Sequence, residues 1–263
     1  NQTRLSEVIV LPDTLEEIGS QIFKNNKIIK ELTIPSSVKN VNYNALKGCQ
    51  FEKVIIGEGT KTLPDFLFTD CTKLKEVVLP ESLEKMGCAV FEGCTSLESF
   101  IIPENVNIDG GFSLFRDCVN LKYVKLPSNI TLIPQYIFAE CVSLEYLEIP
   151  YGVVELETNM IQGCNNIKSI VVPETVSSIE YDAFVSSGVE KIVLLGNAPV
   201  LISSVWGDQF FPSDVEIYVF KNATGYTNKS YKKYTSQFKY IDNNVFSADT
   251  SLDALNMGNH QVK

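Results

Sequence analysis

Histidine, long apolar runs and positive charge are all scarce in this sequence. The single histidine, His260, stands close to the end of the chain. A Ser-His-Asp or Cys-His arrangement needs an imidazole that packing and a hydrogen-bond partner hold in place, and His260 is not expected to have either. We also find no phosphate-binding G-x-x-x-x-G-K-[ST] loop and no glycine fingerprint for a dinucleotide. The sequence therefore favours a protein that has no catalytic residues and no cofactor; a hydrolase with paired carboxylates is a remote alternative.

No stretch of eighteen apolar residues occurs, so no membrane-spanning helix is expected. The chain has 22 basic and 32 acidic residues, a net charge of −10. A nucleic-acid partner requires a basic surface that neutralises phosphates, and an anionic membrane surface would repel this chain. We therefore expect no nucleic acid and no membrane insertion. No signal peptide is visible in the printed sequence.

A block of about 23 residues recurs eight times between Leu5 and Leu195. Its proline column reads Pro12, Pro35, Gly57, Pro80, Pro103, Pro127, Pro150 and Pro173. Its aromatic column reads Phe23, Leu46, Phe68, Phe91, Phe115, Phe138, Ile161 and Phe184. A period of this length is typical of a solenoid, in which each coil buries its apolar face against its neighbours.

Each coil begins with a pattern that predicts a short strand. In one copy Val77 and Leu79 face inward and Val78 outward, because side chains alternate along a strand. Proline then ends the strand, since it has no N–H to donate. The second half of the coil carries apolar residues three apart, such as Leu83 and Met86, which predicts a tight turn and a short helical or 3₁₀ piece. One parallel sheet of about nine strands is expected.

Six of the seven cysteines form a further column: Cys49, Cys71, Cys94, Cys118, Cys141 and Cys164. No two of them have the close spacing of a zinc site. Stacked coils would place neighbours roughly 5 Å apart, near enough for disulfides, but their side chains would point the same way. We favour a ladder of buried, reduced, metal-free thiols. Cys88 stands outside the column.

Two kinds of outward column are expected on the strands. Charges alternate in sign in one of them, which reads Lys30, Glu52, Lys75, Glu98, Lys122, Glu145, Lys168 and Glu190. This pattern fits either a charged binding strip or a ladder of ion pairs between strands, and the alternation favours ion pairs. The middle strand position reads Thr33, Ile55, Val78, Ile101, Lys125, Glu148, Val171 and Val193.

The candidate partner-binding residues are Ile55, Val78, Ile101, Tyr123, Lys125, Tyr146 and Glu148. An apolar strip beside two tyrosines is typical of an interaction surface. β-branched residues also favour strands for packing reasons alone, so both interpretations stay open.

The pattern L-x-x-[VI]-x-[LI]-P-x-x-[VL]-x-x-[IL]-x-x-x-x-F-x-x-C resembles the BspA-like, or Treponema-type, leucine-rich repeats over roughly Leu5 to Leu195. The chain departs from it at Gly57, Asn26 and Ser187. The resemblance implies an α/β-type solenoid: a right-handed superhelix with a parallel sheet on one face and turns or short helices on the other. We expect the solenoid over 1–195, a C-terminal cap over 196–242 and a polar, loosely held tail over 243–263.

The same resemblance implies a cell-surface or secreted protein that adheres to a protein, an extracellular-matrix component or another host macromolecule. The alternative is a structural or scaffolding module of a larger surface protein. If the sheet face does not bind a partner, the cap around Trp206 is the next candidate surface.

Overall fold

The fold was analysed in a computed structural model, which describes residues 7–242. In chain order its strands are β1 (Val8–Val10), β2 (Glu17–Ile18), β3 (Glu31–Ile34), β4 (Asn40–Val41), β5 (Lys53–Ile56), β6 (Thr62–Leu63), β7 (Glu76–Val78), β8 (Lys85–Met86), β9 (Ser99–Ile101), β10 (Tyr123–Lys125), β11 (Leu132–Ile133), β12 (Glu155–Leu156), β13 (Ser169–Val172), β14 (Ser178–Glu180), β15 (Lys191–Leu194), β16 (Val200–Ile202), β17 (Glu216–Phe220) and β18 (Phe238–Ile241). A 3₁₀ helix, Lys229–Gln237, precedes β18.

The strands fall into two columns of parallel neighbours, which we call the first and second sides of the solenoid. The first side contains β1, β3, β5, β7, β9, β10, β13, β15, β17 and β18, and the second side contains β2, β4, β6, β8, β11, β12, β14 and β16. Pairing is in register from coil to coil, for example Ile9 with Leu32 and Leu32 with Val54. The predicted parallel-sheet solenoid is confirmed. Its first side has ten strands in the described residues, since β17 and β18 extend it and residues 145–149 form none.

The second half of the coil differs from the expected short helix. The proline carbonyl accepts the N–H of the residue three positions on, as Pro80 does from Leu83 at 3.2 Å, which closes a turn. A two-residue strand such as β8 follows the turn, and its inward residue, Met86, is buried. The apolar residues three positions apart in the second half of the coil therefore belong to a turn followed by a strand. Within residues 7–242 the only helical element is the 3₁₀ helix of the C-terminal region.

The third side, which we call the turn side, joins the end of one coil to the next. In each coil two residues four positions apart have left-handed backbone, as Ser113 and Asp117 do at φ 57° and 59°. This conformation points successive N–H groups along the stack, so that Phe91 donates to Leu114 at 3.0 Å and Phe115 to Ile137 at 2.9 Å. The turn side is thus hydrogen-bonded between coils although it contains no strand.

The core runs through the whole stack. The aromatic column is buried from Leu46 to Phe184, and its rings stack at 5.4 Å between Phe91 and Phe115. Phe211 continues the column beyond the last repeat, with its ring centroid 5.8 Å from that of Phe184. Tyr234 packs edge-on against Phe211 at 5.0 Å. The tail over 243–263 lies outside the described residues, and the division into solenoid and cap stays a prediction.

Candidate functional site

The alternating charge column of the first side forms ion pairs between coils. Glu52 bonds Lys75 at 2.9 Å, Glu98 bonds Lys122 at 3.0 Å and Lys168 bonds Glu190 at 3.3 Å. Lys30 continues the column toward the N-terminus through Glu7 at 2.8 Å. The predicted ladder of ion pairs is confirmed in part, because three of the seven neighbouring pairs of the column are formed. Each exposed pair contributes about 0.2–1 kcal/mol at most, so these ion pairs add little to the stability of the stack.

Five of the seven candidate residues occupy outward positions of β5, β7, β9 and β10. Ile55 lies in register with Val78, and Ile101 with Lys125. Ile101 is 64% exposed and Val78 39%, whereas Ile55 is half-buried. The sheet is interrupted between β7 and β9, so the apolar strip crosses a break in the backbone hydrogen bonding. Tyr123 is half-buried on the strand position that precedes Lys125 by two.

Tyr146 and Glu148 lie on residues 145–149, beside β10. The N–H of Glu145 donates to the carbonyl of Lys122 at 3.3 Å, which keeps this segment in step with the sheet. Burial raises the pKa of the Tyr146 phenol, with further contributions from Glu148 and Tyr123. Tyr146 is half-buried and Glu148 is exposed. The Tyr146 side chain is therefore uncharged, and its half-buried ring forms part of the candidate surface.

Lys125 is not an isolated cation. Its Nζ lies 3.0 Å from Glu104, on the loop that follows β9. The Ser128 N–H donates to the same carboxylate at 2.7 Å. The Ser128 backbone and then Lys125 lower the pKa of Glu104 to about 2. Glu104 stays ionised at neutral pH, so Lys125 enters any contact as one half of an ion pair.

One part of this surface was missed by sequence reasoning. Counting from β9 to β13, the first outward strand positions are uncharged: Ser99, Tyr123, Tyr146 and Ser169. This uncharged stretch ends on one side at Glu76, which pairs with Lys53 at 2.7 Å, and on the other side at Lys191, which lies in register with Ser169. The signal was available in the sequence as a gap in the charge pattern.

Val193 corrects a second expectation. It occupies an outward position, yet it is only 1% exposed. Its partners in register are Val171 on β13 and Tyr218 on β17, so the large Tyr218 residue flanks it on the C-terminal side. The exposed apolar strip therefore does not extend to β15.

The cysteine column is buried, as predicted: all six side chains are 0% exposed. Each thiol also donates to the carbonyl of the aromatic-column residue one coil earlier, for example Cys94 to Phe68 at 3.2 Å and Cys118 to Phe91 at 3.1 Å. Burial raises the pKa of Cys49 to about 11 and that of Cys164 to about 12. All seven cysteines are free thiols, and residues 7–242 contain no group of three or more His, Cys, Asp or Glu side chains arranged to hold a metal.

Several carboxylates have structural partners. Glu58 accepts the backbone N–H groups of Glu81 and Ser82 at 3.0 and 3.1 Å, and Glu157 accepts that of Gln135 at 2.7 Å. Such contacts satisfy backbone donors between neighbouring coils. The remote alternative of a carboxylate hydrolase gains no support from these groups.

The coil geometry is that of a leucine-rich-repeat solenoid. The sequence matches the family model described as BspA type leucine rich repeat region, in six copies over residues 1–111 and 108–206. These matches cover most of the chain, which therefore belongs to the BspA-type leucine-rich-repeat family. Family members are repeat proteins. Within residues 7–242 no helix has the length and apolar character needed to cross a bilayer.

Solved structures with the same fold come from several bacteria. A leucine-rich repeat protein from Bacteroides ovatus superposes with a TM-score of 0.62 at 22% identity, over 93% of this chain and 73% of that one. The Treponema pallidum leucine-rich repeat protein has a TM-score of 0.54 at 25% identity, over 62% and 79% of the two chains. A leucine rich cell surface protein from Faecalibacterium prausnitzii has a TM-score of 0.47 at 18% identity, over 97% and 92%. Comparison with curated proteins finds no match.

Proposed function

We propose that this chain is a non-enzymatic binding protein, at the cell surface or secreted, that adheres to another macromolecule through its first side. Membership of the BspA-type family supports the location and the class of function. The observation that carries the proposal is the exposure of Ile101 and Val78 on a sheet face that also has an uncharged outward stretch and a column of alternating charges that form ion pairs. An exposed apolar patch with a polar rim is typical of a surface that contacts a partner.

The proposed contact surface contains Ile55, Val78, Ile101, Tyr123, Lys125, Tyr146 and Glu148. Ile101 is its most exposed apolar member, and the uncharged stretch beside it can be covered by a partner without burying an unpaired charge. Tyrosine supplies a large contact area at low entropic cost. A host or extracellular-matrix protein fits this surface better than a small molecule, because the face has no enclosing walls and a small ligand needs a concave site.

The test begins with a panel of immobilised extracellular-matrix proteins and glycans. Once a partner is captured, Ile101→Asp should weaken binding at least roughly ten-fold, because it places a charge at the centre of an apolar contact. Val10→Asp is the matched control. Val10 occupies an outward position near the N-terminal end of the same side and is 67% exposed, against 64% for Ile101. Surface plasmon resonance measures both.

Two results would contradict the proposal. Equal loss of binding in Ile101→Asp and Val10→Asp would mean that the partner binds at another surface or that its binding is nonspecific. If Ile101→Asp binds as well as the parent, the first side is not the contact surface. Capture of nothing from the panel would favour the alternative of a structural module.

A further inference from the structure

The first and second sides end differently at the C-terminal end of the solenoid. β17 and β18 extend the first side beyond β15, whereas the second side ends at β16, which within the described residues pairs only with β14. The N–H of Val200 donates to Ser177 at 2.7 Å, and the carbonyl of Ile202 accepts from Tyr181 at 3.0 Å. Because bonding directions alternate along a strand, the N–H and C=O of Leu201 point away from β14, toward an open edge.

The open edge is apolar where the preceding strand, β14, is polar. Val200 is 66% exposed and Ile202 38%, and they lie in register with Ser178 and Glu180 of β14. Leu201 is only half-buried, although its position in the coil faces the core. An exposed apolar edge strand is a template for pairing with another chain.

A hydrogen-bonded turn follows this edge strand. Ser204 donates to the carbonyl of Gly207 at 2.9 Å, Gly207 returns a bond at 3.3 Å, and the N–H of Trp206 donates to the Ser204 hydroxyl at 3.0 Å. Val205 and Trp206 at the tip are 93% and 85% exposed. The turn therefore holds two large apolar side chains in solvent at the end of an unpaired edge.

The 3₁₀ helix Lys229–Gln237 lies across from this turn. The hydroxyl of Tyr231 ties the helix to the segment that leads into β16, through the carbonyl of Pro199 at 2.7 Å. An open groove of about 460 Å³ lies between them, lined by Ser203, Asp208, Phe210, Lys229, Ser230, Lys232 and Lys233. Lys233 pairs with Asp208 at 3.1 Å. Lys229 and Lys232 are exposed and have no carboxylate partner among residues 7–242.

We infer that an extended acidic segment of polypeptide adds a strand to the edge of β16 and continues into the groove between the following turn and the 3₁₀ helix, which begins at Ser203, the residue next to β16. A polypeptide supplies main-chain groups at the spacing that Leu201 requires, which a lipid or a glycan does not. The two unpaired lysines select carboxylates. A second copy of this chain would bring the same lysines to the same contact, where they would repel. This site is separate from the first-side surface and does not depend on its function.

The only tryptophan of the chain is Trp206, so its fluorescence reports on this site in the intact protein. The probe is a short capped peptide in which glutamate alternates with valine. We expect it to shift the Trp206 emission to shorter wavelength in a saturable way. Replacing its glutamates with lysines, or methylating its backbone nitrogens, should each weaken binding at least roughly ten-fold, since about 1.4 kcal/mol is lost for each factor of ten.

Variants of the protein locate the contact. Lys229→Gln combined with Lys232→Gln should weaken binding of the acidic peptide at least roughly ten-fold. Lys239→Gln is the control, because Lys239 is an exposed lysine of the same region whose partner is Glu216 on the first side, and it should change nothing.

Four results would overturn the inference. They are no saturable shift with the acidic peptide, an equal shift with the lysine peptide, unchanged binding in the Lys229 and Lys232 variant, and full affinity of the methylated peptide. If vesicles of phosphatidylglycerol shift the Trp206 emission and the peptide does not, the exposed turn that carries Val205 and Trp206 contacts lipid. If the shift follows protein concentration and sedimentation shows a dimer, the occupant is a second copy.

Discussion

At the scale of single residues, the cysteine column saturates the aromatic-column carbonyls. The carbonyl of Phe68 accepts both the N–H of Cys71, at 3.0 Å, and the thiol of Cys94, at 3.2 Å. The same double acceptance recurs at Phe91, from Cys94 and Cys118. A thiol is small enough to fit between stacked coils and is a weak donor. Burial and hydrogen bonding together therefore explain why this column keeps cysteine.

We expect Cys94→Ala to lower the free energy of unfolding by about 1–3 kcal/mol, because it removes a buried sulfur and leaves the Phe68 carbonyl with one donor fewer. Urea unfolding followed by circular dichroism measures the change. Cys88→Ala is the control, since Cys88 is half-buried and outside the column, and it should cost well under 1 kcal/mol. Equal effects would mean that the column has no special role.

The raised thiol pKa values also predict an alkaline weakness. In the unfolded chain a cysteine thiol has its ordinary pKa of about 8.5. In the folded protein the pKa is about 11 for Cys49 and about 12 for Cys164, so the unfolded state loses its thiol protons at lower pH. The unfolded state then binds fewer protons, so stability falls as pH rises from about 9 to about 11 and is retained below that range. Urea midpoints across this range should decline, and Cys49→Ala should flatten the decline. A constant midpoint would contradict the assignment.

At the scale of the element, Gly57 shows why one repeat departs from the proline column. Its N–H donates to the carbonyl of Ile34 at 2.7 Å, and a Cβ there would lie 2.5 Å from Ser36 N and 2.6 Å from Pro35 C. The chain turns so close to the preceding coil that no side chain fits. Proline would both fill that space and remove the donor.

We therefore expect Gly57→Ala to destabilise the protein by about 2 kcal/mol or more, through collision with backbone that cannot move aside. Gly57→Pro, which restores the repeat pattern, should be worse. Gly19→Ala is the control, because a Cβ on Gly19 meets nothing within 4 Å. Thermal unfolding compares the three variants, and a neutral Gly57→Ala would show that the turn relaxes.

The turns of the third side depend on a similar balance. Phe66 and Tyr136 hold left-handed backbone, at φ 60° and 55°, which is unfavourable for bulky residues by about 1 kcal/mol or more. Phe66 donates to the carbonyl of Cys88 at 2.9 Å, so the hydrogen bond to the next coil compensates. Sequence propensity alone would not place these residues in that conformation.

At the scale of the whole molecule, the solenoid gains stability by contact between neighbouring coils, so each end is a special case. Phe211 closes the aromatic column against Phe184 and is itself packed by Tyr234. Within the described residues β17 and β18 extend the first side, whereas β16 remains an edge of the second side. This asymmetry creates the proposed peptide groove.

We expect Phe211→Ala to cost about 3–5 kcal/mol locally, and to expose the last coils while the N-terminal coils stay protected. Hydrogen exchange read by mass spectrometry resolves the two ends. Tyr240→Ala, at a 54% exposed position of the terminal strand, is the control. Uniform loss of protection along the chain would show that the stack unfolds as one cooperative unit.

The sequence by itself determined the repeat, the parallel stacking, the inward columns and the ion-pair ladder. These depend only on a period of about 23 residues, on alternation along strands and on charges that meet when coils stack. The same periodicity placed Ile55, Val78, Ile101 and Tyr123 on one outward face.

Only the tertiary structure decided the second strand of each coil, the burial of Val193, the pairing of Lys125 with Glu104 and the open edge at β16. Each depends on a neighbour from another coil or from the C-terminal region. A two-residue strand exists only through hydrogen bonds to the coils on either side, so no local pattern distinguishes it from a turn or a helical fragment. Val193 is buried because its register partner is Tyr218. Within the described residues β16 is an open edge, because the chain after β17 forms the 3₁₀ helix instead of another second-side strand.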